Sequence, residues 1–285
     1  MNKDAVWTTL TTAVGAVFYF LQLIIASRHF SPNDFGVLAI VNVMQWVVVG
    51  IQDMGLSSYC IYLQDSSRKT HSTLFWVSVL VGVIAGLLIF IIANPLGVFY
   101  KMPDLPKLLY LLSIYFIVLG VSGQYQAQLI KTFKSAKLAK IELLSRVLSF
   151  SIVYYLIKVE EMGPMSIVLG LITFGVSKLI MMVVTANSEW HPRFEFDKSV
   201  APAALRYGFY QSSTVVISQL GLQLDQLVIG KVLGAETVGY YSLAKELINY
   251  PIRFLLPILG ILHSSLKVVD TFDVNKKLTT SYRSH

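Results

Sequence analysis

Basic and amide side chains recur along one face of the last apolar segment of the chain. Four of them follow at intervals of three and four residues and would form one stripe on a helix: Ser242, Lys245, Asn249 and Arg253. The preceding segment carries three glutamines at the same spacing: Gln219, Gln223 and Gln226. Cations bind phosphate oxygens, and arginine engages them in pairs. The two stripes therefore favour an anionic ligand with many hydroxyl groups.

Other polar residues lie within apolar segments nearer the N-terminus. Insertion of a charge into a membrane-spanning helix costs at least about 2.5 kcal/mol, so Arg146 and Lys178 each require an explanation. Glu142 precedes Arg146 by four residues, and we expect these two to pair with each other near the cytoplasmic surface. Gln45 belongs to a polar stripe in the second segment. Together the stripes predict a water-filled cavity, with interhelical hydrogen bonding as the alternative for each glutamine.

Three acidic residues are candidates for coupling to an ion gradient: Asp53, Asp225 and Glu246. Asp53 and Asp225 lie near the ends of their segments, where solvation explains them as well, and Glu246 could neutralise the adjacent Lys245. The chain carries no nucleotide-binding glycine loop, so energy would come from a gradient or another protein. The single cysteine and the scattered histidines offer no disulfide or metal-ligand spacing, and no cofactor or metal site is predicted.

The amino-acid composition indicates which kind of secondary structure positions these residues. Of the 285 residues, 55% are hydrophobic and 14% are charged, whereas soluble domains carry about 25% charged residues. The mean hydropathy is +0.64. Several apolar runs approach the roughly 20 residues that a membrane-spanning helix needs. The sequence therefore predicts an all-α, polytopic membrane protein and excludes soluble enzymes and membrane β-barrels.

Eight membrane spans separated by polar links are predicted, at about 6–27, 36–56, 73–93, 108–129, 141–158, 164–185, 207–229 and 237–262. Basic residues concentrate in alternate links, which by the positive-inside rule places the N-terminus and the polar tail in the cytoplasm. The net charge of +7 then reflects topology and not nucleic-acid binding. Within the third span, Gly82 and Gly86 form a weak helix-packing signal.

An internal repeat relates the first two spans to the last two. An offset of 203 residues places Gly36 on Gly239, Phe35 on Val238 and Gln22 on Asp225. Duplicated halves with a site between them are typical of transporters. The predicted domains are a six-helix lobe at 1–185, a cytoplasmic linker at 186–206, the first two helices of a second lobe at 207–263 and a polar tail at 264–285. Because a second six-helix lobe would need four more spans, we expect a truncated or frameshifted chain, with a degenerate second lobe as the alternative.

Three segments carry a resemblance to a known family: 28–40 (RHFSPNDFGVLAI), 53–56 (DMGL) and 224–244 (LDQLVIGKVLGAETVGYYSLA). They resemble the bacterial polysaccharide transporters, and most of all the Wzx-type exporters of O-units and colanic acid in the MOP superfamily. The resemblance implies two six-helix lobes with alternating access. It also implies that a lipid-linked oligosaccharide on polyprenyl pyrophosphate is moved across the inner membrane, in contact with membrane lipids and alongside other polysaccharide assembly proteins.

Related flippases hold the pyrophosphate with basic residues in a central cavity. By this resemblance the candidate cations are Arg28, Arg146, Lys178, Lys245 and Arg253. Three alternatives stay open at this point. One is a cation-coupled exporter of small organic cations with the same fold, which should have a cavity dominated by carboxylates. The others are a membrane enzyme, which would need larger outer loops, and an inactive fragment.

Overall fold

The computed structural model describes residues 3–53, 67–132, 134–186, 191–197 and 200–249. Within these ranges the ordered elements are helices, and no strand occurs. The helices are α1 (Lys3–Ser27), α2 (Pro32–Asp53), α3 (Arg68–Tyr100), α4 (Leu105–Lys131), α5 (Ser135–Lys158), α6 (Met165–Ala186), α7 (Val200–Val232) and α8 (residues 235–249). The all-α prediction is confirmed, with a helix at each of the eight predicted spans.

Five helices are long and apolar enough to cross a membrane: α1, α2, α3, α4 and α6, with mean hydropathies between 1.4 and 2.8. The chain is therefore a multi-pass membrane protein. Helices α5 and α7 carry more polar residues than these five, so their passage through the bilayer stays a prediction. The rest of the predicted eighth span and the polar tail lie outside the described residues.

Helix α4 occupies the centre of the bundle. Its side chains Leu109, Leu112 and Phe116 are fully buried, and the helix packs against α2, α3, α5 and α6. Helix α1 packs on α5, whereas α7 lies along α2 and contacts α3. The first helix of the predicted second lobe thus contacts helices of the predicted first lobe. The domain boundaries themselves stay a prediction.

Small residues allow α3 and α4 to approach each other closely. A β-carbon at Gly82 would lie 2.9 Å from the Cα of Gly120, and one at Gly86 would lie 2.8 Å from the carbonyl oxygen of Ser113. The hydroxyl of Ser78 donates a hydrogen bond to the Gly120 carbonyl at 2.9 Å. In a bilayer, where apolar side chains gain little by leaving lipid, close backbone approach of this kind stabilises helix pairs. The two glycines named in the sequence therefore lie in a helix contact.

We expect Gly82→Leu to force α3 away from α4 and to lower the free energy of unfolding by about 1–3 kcal/mol, the usual cost of overpacking. The measurement is the thermal unfolding midpoint of the purified protein in detergent. Gly221→Leu is the matched control, because nothing lies within 4 Å of a β-carbon at Gly221 in α7. Equal destabilisation by both substitutions would contradict the packing role of Gly82.

The described part of the predicted linker, residues 191–197, is attached to the first turns of α3. The backbone N–H of Arg193 donates to the Ser72 hydroxyl at 3.1 Å, and that of Asp197 donates to Thr73 at 2.8 Å. The indole N–H of Trp76 donates to the Arg193 carbonyl at 3.0 Å, and its ring stacks on Phe194 at 4.7 Å. These contacts fix the path by which the chain enters α7.

Candidate functional site

The ammonium group of Lys245 lies in an ion pair between α7 and α8. Its Nζ donates to the two carboxylate oxygens of Asp225 at 2.9 and 2.8 Å and to the Leu222 carbonyl at 2.8 Å. Gln223 Oε1 lies 3.4 Å away. An ammonium group has three N–H donors, and these acceptors occupy all three. Asp225 is therefore a carboxylate partner of Lys245, whereas the sequence offered the adjacent Glu246 as a residue that could neutralise it.

Asp225 accepts two further hydrogen bonds. The hydroxyl of Tyr241 donates to Oδ2 at 2.6 Å, and the backbone N–H of Gln226 donates to Oδ1 at 2.8 Å. Tyr241 was not predicted as a site residue, although it precedes Lys245 by four residues and so lies on the same face of α8. The carboxylate and the ammonium group hold α7 and α8 together through direct contacts.

In the first copy of the repeat, the two positions equivalent to this ion pair carry neutral amides. The 203-residue offset puts Gln22 of α1 on Asp225 and Asn42 of α2 on Lys245. Both Gln22 and Asn42 are half-buried. The two copies of the hairpin thus keep polar residues at the same two positions, and only the second copy carries charges there.

A second ion pair joins α5 and α6. Lys178 Nζ donates to Glu142 Oε1 at 2.6 Å and to Gln126 Oε1 of α4 at 2.9 Å. The side chains are 12% exposed for Lys178 and 26% exposed for Glu142. The expectation that Glu142 pairs with Arg146 one turn along α5 is wrong. Because α5 packs beside α6, the ammonium group of the neighbouring helix reaches the carboxylate directly.

Arg146 is left without a carboxylate partner among the described residues. Its side chain lies against Gly15 of α1, where a β-carbon would meet the guanidinium Nε at 3.0 Å. Its guanidinium carbon lies 5.2 Å from the centre of the Phe174 ring in α6. The Nε atom is buried and has no hydrogen-bond partner. A buried donor without a partner is costly, so an acceptor outside the described residues, such as a water molecule or a ligand oxygen, would stabilise this position of Arg146.

The structure separates the other candidate residues. Arg28 is exposed just beyond the end of α1, about 20 Å along the helix axis from Gly15, so Arg28 and Arg146 do not form one cluster. The remaining polar candidates are half-buried: Gln45, Gln219, Gln223, Asn249 and Glu246. Arg253 and the side chain of Asp53 lie outside the described residues. The binding roles proposed for all of them stay predictions.

An open groove of about 570 Å³ lies beside the first turns of α7. Its lining residues are Pro202, Ala203, Arg206, Tyr207 and Tyr210. A cation beside two tyrosine rings suits sugar and phosphate groups alike. The groove was not predicted, because the sequence identifies Arg206 only as a basic residue in a predicted cytoplasmic link.

The chain is similar to known proteins of polysaccharide biosynthesis. Residues 24–267 match the family model described as "Polysaccharide biosynthesis protein". The amylovoran biosynthesis protein AmsL of Erwinia amylovora is 40% identical over 72% of this chain and 53% of its own length. The teichuronic acid biosynthesis protein TuaB of Bacillus subtilis is 28% identical over 90% of this chain and 53% of its own.

A third relative, the succinoglycan biosynthesis transport protein ExoT of Rhizobium meliloti, is 24% identical over 92% of this chain and 53% of its own length. The chain thus spans about half the length of the curated relatives that it matches. No solved structure matches it.

Proposed function

The chain belongs to the polysaccharide biosynthesis protein family, and on this premise we propose that it serves in the export of surface polysaccharide. Its substrate would be an oligosaccharide repeat unit linked to polyprenyl pyrophosphate, moved from the inner to the outer leaflet of the cytoplasmic membrane. The relative from Rhizobium meliloti is named as a transport protein, and five helices of this chain are long and apolar enough to cross a membrane. Both observations support a role in export. The N-terminus would be cytoplasmic, and the chain would catalyse no reaction.

Arg146 is the observation that carries this proposal. It is a cation between α1, α5 and α6 with a buried N–H that lacks an acceptor. A pyrophosphate headgroup provides several anionic oxygens, and guanidinium binds such oxygens in pairs. The sugar hydroxyls would then contact the half-buried glutamines of α2 and α7, while the polyprenyl tail remains in lipid. Movement of the two halves against each other would expose the headgroup on the other side.

The carboxylates argue against an exporter of organic cations. Glu142 is engaged by Lys178 at 2.6 Å, and Asp225 by Lys245 at 2.8 Å. A cationic ligand would have to displace a lysine from each of them, at the cost of leaving that ammonium group desolvated. An anionic ligand can bind Arg146 without breaking either pair.

Asp225 is the strongest of the three candidates for coupling. Protonation of its carboxylate would remove the charge that holds Lys245 and so loosen α7 from α8. Asp53 and Glu246 stay candidates on sequence grounds alone. Coupling to a proton or cation gradient would also agree with the lack of a nucleotide-binding motif in the sequence.

The test is a flipping assay with the full chain in proteoliposomes, using a fluorescent disaccharide on polyprenyl pyrophosphate that is quenched from outside by an impermeant reductant. We expect a larger quenched fraction than in protein-free vesicles, and competition by unlabelled polyprenyl pyrophosphate but not by tetraphenylphosphonium. Flipping no faster than in empty vesicles, or competition by the organic cation instead, would overturn the proposal.

A further inference from the structure

The two copies of the repeated hairpin touch at their turns in a reciprocal arrangement. The 203-residue offset makes Pro32 equivalent to Ala235 and Gly36 equivalent to Gly239. A β-carbon at Gly36 would overlap the carbonyl oxygen of Ala235, and one at Gly239 would overlap that of Pro32. Gly36 thus faces Ala235, and Gly239 faces Pro32, which occupies the same place in the first copy as Ala235 does in the second. Reciprocity of this kind is the mark of a two-fold axis, which here passes between the starts of α2 and α8.

Glycine is required at both positions because the backbones themselves are in contact. A β-carbon at Gly239 would also lie 3.0 Å from the backbone nitrogen of Gly36. The neighbouring residues Phe35 and Val238 are equivalent in the repeat and are both buried, with 7% and 0% of their surface exposed. The contact between the hairpins is therefore closed, and it leaves no space between the two helix starts.

Lys231 adds a polar contact beside this crossing. Its Nζ donates to the carbonyl oxygen of Phe99 at 2.6 Å and lies 3.8 Å from the centre of the Phe99 ring. Phe99 is in the last turn of α3, where carbonyl groups lack helical partners and the helix dipole favours a cation. Lys231 lies in the last turn of α7, so this contact ties the end of α7 to the end of α3.

We propose that this hairpin crossing, Pro32 and Gly36 against Ala235 and Gly239, is a gate that closes one end of the transport path, and that Lys231 is its lock. The crossing joins the two halves of the repeat across their two-fold axis, so the halves cannot separate at this end while it is intact. Lys231 ties the crossing to the end of α3 through its charged contact with Phe99, and that contact can break without unfolding a helix. That the gate faces outward, and that it passes a glycan headgroup, rests on the proposed function.

The first experiment measures opening alone. Val238→Cys in a Cys60→Ser background is labelled with a membrane-impermeant maleimide, and we expect Lys231→Met to raise the labelling rate about tenfold, because it removes a cation–π contact and a charged hydrogen bond. Lys107→Met is the matched control, since Lys107 lies at the start of α4, exposed and paired only with Asp104 at 3.4 Å. An unchanged rate in Lys231→Met, with folding confirmed by its elution as a monodisperse species, would overturn the gate.

The second experiment asks whether the gate must open for transport. Asn33 and Glu236 are equivalent in the repeat and exposed beside the crossing, so cysteines there can be joined by a cleavable bismaleimide. Cross-linking should stop flipping, and cleavage should restore it, whereas flipping that continues in the cross-linked protein would make the crossing a fixed pivot and refute the gate. Faster labelling in Lys231→Met without any flipping of the glycan lipid would leave the gate intact and refute the proposed function.

Discussion

Arg146→Gln is expected to reduce export of the glycan lipid about a hundredfold without destabilising the fold. The loss follows from removal of a charge-assisted, paired contact to a desolvated anion, which typically costs 2–5 kcal/mol or more. Stability should be unchanged or higher, because no carboxylate among the described residues loses a partner and an unsatisfied buried N–H is removed. The measurements are the flipping rate and the thermal unfolding midpoint of the same preparation.

Two further variants control this result. Arg146→Lys keeps the charge but loses the planar fork, so its flipping rate should lie between those of the wild type and Arg146→Gln. Arg193→Gln removes an exposed arginine of the linker, whose described contacts with α3 use backbone atoms, and should flip at the wild-type rate. A wild-type rate for Arg146→Gln, or an equal loss for Arg193→Gln, would exclude Arg146 from headgroup binding.

The ion pair between Asp225 and Lys245 should behave as a strongly coupled unit. Asp225→Asn or Lys245→Gln alone is expected to lower the free energy of unfolding by about 2 kcal/mol, below the 3–5 kcal/mol for a fully buried pair because both side chains are partly exposed. The double variant Asp225→Asn/Lys245→Gln should recover most of this loss, since neither charge is then left alone. Thermal unfolding midpoints of the four proteins complete the double-mutant cycle.

Asp104 and Lys107 provide the matched cycle. This pair is exposed, with 67% of the lysine and 61% of the aspartate side chain accessible, and lies at 3.4 Å, so its coupling should be no more than about 0.5 kcal/mol. Additive losses at Asp225 and Lys245 would show that their contact is incidental. If Asp225 is also the coupling group, the double variant will fold but will no longer respond to an imposed ion gradient.

The positions of the helices could be predicted because apolar runs of membrane length carry their own signal. Helix α3 was expected at 73–93 and extends over Arg68–Tyr100. The hydrophobic pattern marks only the part in the bilayer, whereas a cap at Ser67, which accepts from the Thr70 N–H at 3.2 Å, begins the helix earlier. Pro95 also lies inside α3, although a proline usually favours the end of a helix.

The partners of the charged residues could not be predicted from spacing along one helix. Glu142 and Arg146 satisfy the rule for neighbours on a helix surface, yet Glu142 pairs with Lys178, 36 residues away. The rule describes isolated helices, where such a pair contributes about 0.2–0.5 kcal/mol. A neighbouring helix in a low-dielectric bundle supplies a stronger contact. Similarly, the alignment of Gly36 with Gly239 revealed the repeat in the sequence. The sequence did not predict that the two copies touch at these glycines, because that contact depends on how the helices pack.

The unequal polar pairs of the two hairpins have an electrical consequence. While Asp225 is ionised, its pair with Lys245 has no net charge, and Gln22 with Asn42 has none either. A proton delivered to Asp225 would give the pair of Asp225 and Lys245 a net charge of +1, whereas the equivalent Gln22 and Asn42 would stay uncharged. A voltage across the membrane would then exert a force on the second copy of the hairpin and not on the equivalent positions of the first. Two copies related by a two-fold axis give no preferred direction of movement, and this unequal force would supply one.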